Sequence, residues 1–187
     1  MVIMKSPCEE PLSDDRKEPW LNLLALTTVI LAVCATLATF KGGGHSTRTV
    51  LSQSQASDQW AYYQAKGIKG NLYELEALRL RRELQLAPKA SVPLLEQSLA
   101  DVERKVAKYE GEKAEIQKEA RRFEDMKAQA QKHGAAFGLA VIFLQIGILL
   151  SSIAALLKQK PVYYLGLAVG VVGIVYFING FLLFLPA

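Results

Sequence analysis

The chain has little of what enzymes, disulfide scaffolds and metal proteins need. It contains two cysteines and two histidines among 187 residues, so the sequence predicts neither a disulfide framework nor a cysteine-rich metal site. It lacks a Gly-Lys-Ser/Thr phosphate loop, a paired-cysteine motif, a His-Glu-x-x-His motif and any serine, histidine and carboxylate cluster at recognisable spacing. We therefore expect a protein that is not an enzyme, with no catalytic residue, cofactor or metal ligand.

Charge is absent from three long stretches. Residues 20–40, 135–157 and 162–185 contain no Asp, Glu, Lys, Arg or His, and each is long enough to cross a hydrocarbon core of about 30 Å as a helix. A signal peptide is the alternative for the first stretch, but its apolar core normally has only about 7–15 residues. The sequence predicts three transmembrane helices in contact with a lipid bilayer, and the missing intramembrane charge disfavours an ion-coupled pump.

Short basic segments predict the orientation. Lys and Arg accumulate in short cytoplasmic loops, whereas loops longer than about 60 residues do not follow this rule. The acidic tail 1–19 carries three basic residues and the turn 158–161 carries two, while the two residues after the third stretch carry none. We expect the N-terminus and the turn in the cytoplasm and the long loop 41–134 outside, which is the periplasm for the bacterial inner membrane.

A seven-residue repeat dominates the long loop. Apolar side chains recur at alternating steps of four and three over residues 95–130, the spacing of a coiled-coil helix. A similar repeat runs over residues 61–75, and residues 87–93 contain two prolines that break the helix. The sequence predicts an all-α fold in which an antiparallel coiled-coil hairpin, with arms at about 46–86 and 93–133, projects from three transmembrane helices.

A turn near Ala90 predicts which residues of the two arms face each other. Residues whose numbers add to about 180 then lie opposite. His45 and His133 meet at the membrane surface, although two imidazoles without a further ligand make a poor metal site. Gly42–Gly44 is interpreted as a break between the first span and the first arm. Three pairs define the predicted seam: Leu72 with Tyr109, Leu75 with Val106 and Leu78 with Val102.

The stretch 49–65 contains a single charged residue and ends in Trp60, Tyr62 and Tyr63. Aromatic residues of this kind are favoured where a surface is half wet and half buried. Three uses fit: packing within the chain, contact with other copies, and anchoring at the membrane interface. We expect Trp60, Tyr62 and Tyr63 to face a partner, with Trp60 also facing Ala120 within the hairpin.

Small residues recur every four positions in the second and third spans. They are Gly147, Ser151 and Ala155, and Gly166 and Gly170. This spacing lets helix backbones approach closely. It serves either to pack the chain's own spans together or to form a seam between copies.

Two strings of this sequence resemble a known family. They are ASDQWAYYQAKGIK at residues 56–69 and FLQIGILLSSIAALLKQKPVYYLGLAVGVVG at residues 143–173. They are similar to small bacterial membrane proteins known only as domain of unknown function 4337, and the resemblance extends from the first span to the last. It implies an acidic tail, one span, a helical loop and a two-span hairpin with a basic turn. It implies no established activity, cofactor or catalytic residue.

Two functions fit this organisation. The first is a non-enzymatic inner-membrane scaffold whose coiled-coil hairpin forms homo-oligomers or binds another envelope protein. The alternative is a subunit or accessory of a membrane pore or transport complex. Nucleic acid is not an expected partner, because alternating charge along a coiled coil is an ordinary solvated face. In the alternative, polar residues of the spans would line a solute path: Asn22, Thr28, Gln145 or Asn179.

Overall fold

Three long helices make up nearly all of the described chain. The computed structural model describes residues 19–185, and its helices are α1 (Pro19–Leu86), α2 (Val92–Leu157) and α3 (Lys160–Leu182). The fold is all-α, as the sequence predicts. Most of the predicted acidic tail lies outside the described residues.

Each helix contains a segment that is apolar and long enough to cross a membrane. The most apolar windows of α1, α2 and α3 have mean hydropathies of 2.3, 2.4 and 2.1. α1 and α2 contain 68 and 66 residues, so each is roughly 100 Å long at about 1.5 Å per residue. In both, the span and the arm of the long loop form one uninterrupted helix.

Gly42–Gly44 does not interrupt α1, so the predicted break is wrong. A glycine in a helix interior costs about 1 kcal/mol relative to alanine. That cost weakens a helix without ending it when long helical segments continue on both sides. Gly42 also faces α2, since a Cβ there would lie 3.3 Å from the Cβ of Phe137. Its small size lets the helices stay close where α1 passes from the span to the arm.

α1 and α2 pack antiparallel, with a register close to the predicted one. Residues 87–91 connect the two helices, and Pro93 lies in the first turn of α2. Successive contacts join residues with increasing numbers on α1 to residues with decreasing numbers on α2. The contacts that show this are His45 with His133, Lys66 with Glu112, Tyr73 with Tyr109, and Arg81 with Glu103.

The face of α1 that meets α2 differs from the predicted seam. Leu72 and Leu75 are each 61% exposed, so their predicted contacts with α2 are wrong. Leu78 is 48% exposed and lines a groove between the helices together with Val106 of α2. On α2 the predicted stripe is confirmed at Ile116 and Ala120, which are both buried. The buried residues on the arm of α1 are Ser52, Ala56, Gly70, Ala77 and Leu80.

The continuity of α1 explains this difference. Within the membrane-spanning part, Leu31, Ala35 and Ala38 are buried in one cluster with residues of α2. Alternating steps of four and three from Ala38 lead to Ser52 and Ala56, so the seam of the arm continues the seam of the span. A break at the glycines would free the arm to turn another face toward α2. Without a break, the packing of the spans fixes that face.

A two-residue turn joins α2 to α3, shorter than the predicted turn 158–161. Lys158 adopts the left-handed conformation with φ of 50°, and the Gln159 N–H donates to the Ala154 carbonyl oxygen at 3.2 Å. Pro161 lies in the first turn of α3, where its missing N–H leaves no helical hydrogen bond unmade. The two spans therefore run antiparallel and pack along their length.

Glycines of α3 allow that packing. A Cβ at Gly173 would lie 2.8 Å from the backbone nitrogen of Leu144, and one at Gly180 would lie 2.6 Å from the ring of Phe137. Real Cβ contacts are not this short, so only a hydrogen fits at either position.

We expect Gly173→Ala to destabilise the spans. The added methyl group must displace the backbone of α2 at Leu144, and overpacking of this kind costs about 1–3 kcal/mol. Gly43→Ala is the matched control, since no other side chain of residues 19–185 lies within 4 Å of a Cβ there. The control should gain up to about 1 kcal/mol. Thermal unfolding followed by circular dichroism in one detergent compares them, and equal midpoints would contradict the tight α2–α3 contact.

Candidate interaction surface

The three aromatic residues of the charge-poor stretch point in two directions. Trp60 Nε1 donates a hydrogen bond to Glu124 Oε1 at 2.9 Å, one turn beyond the predicted contact with Ala120. The Trp60 and Tyr63 rings meet edge to face with centroids 5.6 Å apart, and Tyr63 faces Lys113 of α2. Tyr62 is 50% exposed. Trp60 and Tyr63 therefore belong to the α1–α2 contact, whereas the ring of Tyr62 contacts Lys66 and is otherwise open to the outside.

Lys66 is the centre of a charged and aromatic cluster in the α1–α2 seam. Its Nζ lies 2.6 Å from Glu112 Oε2 and 5.3 and 5.4 Å from the ring centroids of Tyr62 and Tyr109. The hydrogen bond to Glu112 raises the pKa of Lys66, and the same bond lowers the pKa of Glu112. Both groups stay ionised over a wide pH range, and the rings add cation–π attraction.

Stacked rings extend this cluster along the arm. The Tyr109 ring stacks on Tyr73 with centroids 5.5 Å apart, and Lys105 Nζ lies 5.2 Å from the Tyr73 centroid. The side chains of Lys66 and Lys113 are only 19% and 18% exposed. Lysines and rings therefore fill a seam that was predicted to be apolar. The one sequence signal for this is Lys113, which interrupts the apolar repeat of α2.

The apolar repeat of α1 lies on the face that points away from α2. It belongs to a row of exposed residues at alternating steps of four and three, which we call the outer stripe. Ile68 is 63% exposed, close to the values for Leu72 and Leu75. These residues lie beyond the charge-free run 20–40, so lipid tails do not cover them, and exposed apolar rows of this kind mark contact sites. In the arm, the outer stripe consists of Leu51, Ser54, Asp58, Ala61, Ala65, Ile68, Leu72 and Leu75.

The outer face of α2 at the same heights is charged. Lys108 there lies 3.9 Å from Glu112, and Arg104 is ion-paired with Asp101 along the helix. Such pairs are typical of a solvated helix face. The exposed residues of this face include Asp101, Arg104, Lys108, Glu115 and Lys118. The apolar surface of the arm is therefore concentrated on α1.

The small residues of the second and third spans pack those spans against each other. A Cβ at Gly147 would lie 3.0 Å from the carbonyl oxygen of Gly166 and 3.1 Å from the Cα of Gly170, and one at Gly170 would also lie 2.8 Å from Leu31 Cδ1 of the first span. Ser151 is buried, and its Oγ donates to the Gly147 carbonyl oxygen at 2.8 Å. These positions serve the first of the two predicted uses, close packing within the chain.

The two histidines meet where α1 and α2 leave the spans, as predicted. Their rings stack with centroids 4.8 Å apart, and His133 Nδ1 lies 2.8 Å from the carbonyl oxygen of Gly180. Burial lowers the pKa of His45, and the nearby positive charges of His133, Arg48 and Lys41 lower it further. Among residues 19–185, no three His, Cys, Asp or Glu side chains gather in a way that could hold a metal ion.

The polar residues proposed to line a solute path do not converge in the chain. Asn179 is buried and bonded to the backbone of Leu185, donating to its oxygen at 3.2 Å and accepting from its nitrogen at 2.7 Å. Thr28 donates to a carbonyl oxygen of its own helix at 2.8 Å. Asn22 and Gln145 are exposed on the surface of their helices. The pore alternative stays a prediction.

A family comparison covers the same helices. The family model described as a domain of unknown function (DUF4337) matches residues 20–183, which is nearly all of the described chain. The chain belongs to this family. The match confirms the resemblance carried by the tryptophan-tyrosine string and the spans. No curated protein and no solved structure matches the chain. Because the description of DUF4337 names no activity, the function of this member is argued from its own contacts.

We expect the junction between the spans and the arm to lose stability on acidification. The pKa of His45 is lowered from its ordinary value of 6.5, so folding favours its neutral form. The stability from this group is present above pH 6.5 and is lost as the pH falls through the lowered pKa. Thermal midpoints in one detergent should fall between about pH 7.5 and about pH 5.5, the range in which histidine titrates.

His45→Gln is the comparison variant for this prediction. Glutamine keeps a planar polar group at the position but does not titrate, so the variant should lose less stability over the same pH range. An equal loss in both proteins would assign the pH dependence to other groups, such as the carboxylates of the arm.

Proposed function

We propose that this DUF4337 protein is a non-enzymatic membrane scaffold that associates with copies of itself through its helical arms. The observation that carries the proposal is the outer stripe, an exposed apolar row on a helix whose opposite face is already covered by α2. The exposed Tyr62 follows Ala61 of that stripe. A helix with two apolar or half-apolar seams at seven-residue spacing is suited to packing against two neighbours.

Within one copy, we propose that the arms form an antiparallel coiled-coil hairpin. Residues of α1 and α2 that face each other follow steps of four and three, as knobs-into-holes packing requires. Lys66–Glu112 and Arg81–Glu103 bridge the helices, each with a nitrogen–oxygen distance of 2.6 Å. Exposed ion pairs add little stability, but bridges at these two heights favour one register over its neighbours.

For the location, we propose the inner membrane of a bacterium, with the N-terminus in the cytoplasm and the arm in the periplasm. The support comes from the basic residues of the short segments, which include Lys158 and Lys160 of the turn. Cytoplasmic loops next to spans accumulate such residues. The arm would then stand on the side where other envelope proteins are accessible to it.

Labelling of single cysteines tests this orientation. In a variant with Cys8→Ser and Cys34→Ala, we expect Ala90→Cys to react with a membrane-impermeant maleimide in intact spheroplasts. Lys158→Cys should react only after lysis, because the turn would face the cytoplasm. The reverse pattern would overturn the assignment.

Substitution of the aromatic residues tests self-association. We expect Tyr62→Ala to weaken association in liposomes by about 1–2 kcal/mol, a 5- to 30-fold change, because aromatic side chains at contacts are often anchors. Energy transfer between labelled copies, measured at decreasing protein-to-lipid ratio, gives this change. Helicity should stay near that of the unsubstituted protein, and the thermal midpoint should fall less than in Trp60→Ala, because Tyr62 contributes to the seam only through Lys66.

Trp60→Ala is the matched control for Tyr62→Ala. It removes the hydrogen bond to Glu124 and the ring contact with Tyr63, so it should lower the thermal midpoint. If Tyr62→Ala lowers stability as much as Trp60→Ala and leaves association unchanged, Tyr62 is part of the hairpin packing alone. A change in co-purification of another envelope protein at constant self-association would assign this surface to that partner.

A further inference from the structure

The outer stripe continues without interruption from the membrane into the arm. Toward the N-terminus, the same steps of four and three lead from Leu51 through exposed residues of the first span. Asp58 is the single charged residue of the row between Leu23 and Leu75, and the same steps lead beyond Leu75 to Arg79 and Arg82. The further members are Leu23, Leu26, Ile30, Val33, Leu37, Phe40, Gly44 and Thr47. A seven-residue repeat kept over this length is typical of helices that form a left-handed supercoil.

α1 already has the winding that such a supercoil needs. The row of α1 residues that faces α2 keeps its seven-residue phase from Leu31 to Leu80, and both of these residues are buried. On a straight helix, a seven-residue row drifts by about 20° per repeat. Because this row stays in contact with α2, α1 winds left-handed along it. Each residue of the outer stripe between Val33 and Leu75 lies two positions after a residue of the row that faces α2, so the stripe follows the same winding.

We propose that the outer stripe of α1 packs against the outer stripe of a second copy of this chain, with the two α1 helices parallel and at equal height. This inference rests on the proposed self-association and names the contact that produces it. The spans hold both copies in one bilayer with one orientation, so equal residues lie at equal heights. A two-fold axis along the membrane normal then brings each residue of the stripe opposite its own equivalent.

A second copy fits this surface better than an unrelated helix. It supplies the same period, the same winding and the same starting height in the membrane. In a parallel coiled-coil pair, a residue that directly precedes a stripe position on one helix faces the residue numbered five higher on the other helix. The residues that flank the outer stripe suit this arrangement. None of these flanking pairs joins like charges. They are Gln64 with Lys69, Asn71 with Glu76, and Ser57 with Tyr62.

Within the outer stripe from Leu23 to Leu75, the pairing contains one like-charge contact, which gives a specific test. Asp58 of each copy would face Asp58 of the other, and like charges at facing positions weaken association. Asp58→Asn should therefore strengthen energy transfer between labelled copies several-fold at a fixed protein-to-lipid ratio. Asp125→Asn is the matched control, since Asp125 is exposed on the outer face of α2 at a similar height. It should leave association unchanged, and equal effects of the two variants would overturn the proposed contact.

Cysteine cross-linking in membranes tests the register. In the background with Cys8→Ser and Cys34→Ala, Ala65→Cys and Leu72→Cys should each form disulfide-linked dimers on mild oxidation. Glu115→Cys, on the outer face of α2 at the height of Ala65, should give several-fold less. Strong linkage at residue 115 and none at residues 65 and 72 would overturn the proposal.

Mixed samples separate a fixed register from random collision. When Ala65→Cys is co-expressed with a differently tagged Leu72→Cys, mixed dimers should be rare. Seven residues correspond to a rise of about 10 Å along a helix, and a disulfide bridges Cα atoms only up to about 7 Å apart. Mixed dimers as abundant as matched ones would overturn the register. Energy transfer without linkage at either position would overturn this contact and retain self-association, whereas absence of energy transfer in the unsubstituted protein would overturn both.

Discussion

The arrangement of the arm depends on one constraint, the unbroken helical path from the first span through Gly42–Gly44. In the span, close packing of Leu31, Ala35 and Ala38 against α2 decides which face of α1 looks inward. Because successive turns of a continuous helix cannot rotate independently, the orientation of α1 in the span also fixes which face of the arm points toward α2. Each face of the arm is thus set by contacts made at membrane depth, whatever the local apolar content of the arm would favour.

This constraint accounts for the unusual seam. The inward row contains Ser52, Ala56 and Gly70, which offer little apolar area to bury, and Ile68, Leu72 and Leu75 are turned away from α2. The lysines and tyrosines around Lys66 compensate by bridging the gap with long side chains, charge and ring stacking. Gly70 adjoins this cluster, and a Cβ there would lie 3.6 Å from the Cβ of Tyr109, an ordinary van der Waals distance.

The sequence was sufficient for features that depend on one helix at a time. The charge-free runs, the proline-containing connection and the apolar row of α2 each follow from local composition and period, and the histidine contact follows from counting outward from the connection. The inward face of α1 could not be predicted in this way. Two rows with the same period lie on α1, and apolar content alone favours the row that contains Ile68, Leu72 and Leu75 for the hairpin seam. The choice between the rows depends on contacts of the span, which are far away along the chain.

Lipid and water act differently on the two parts of the outer stripe. In the proposed pair of copies, residues within the bilayer such as Ile30 and Leu37 would exchange lipid contacts for protein contacts, and little free energy would be gained because lipid tails are as apolar as leucine. In the arm, Ile68, Leu72 and Leu75 would exchange water for protein, and each square ångström of apolar surface removed from water contributes about 25 cal/mol. The spans would therefore set height and orientation, whereas the strength of the proposed association would reside in the arm. On this proposal the spans need not hold copies together, which agrees with the use of their glycines for packing within one chain.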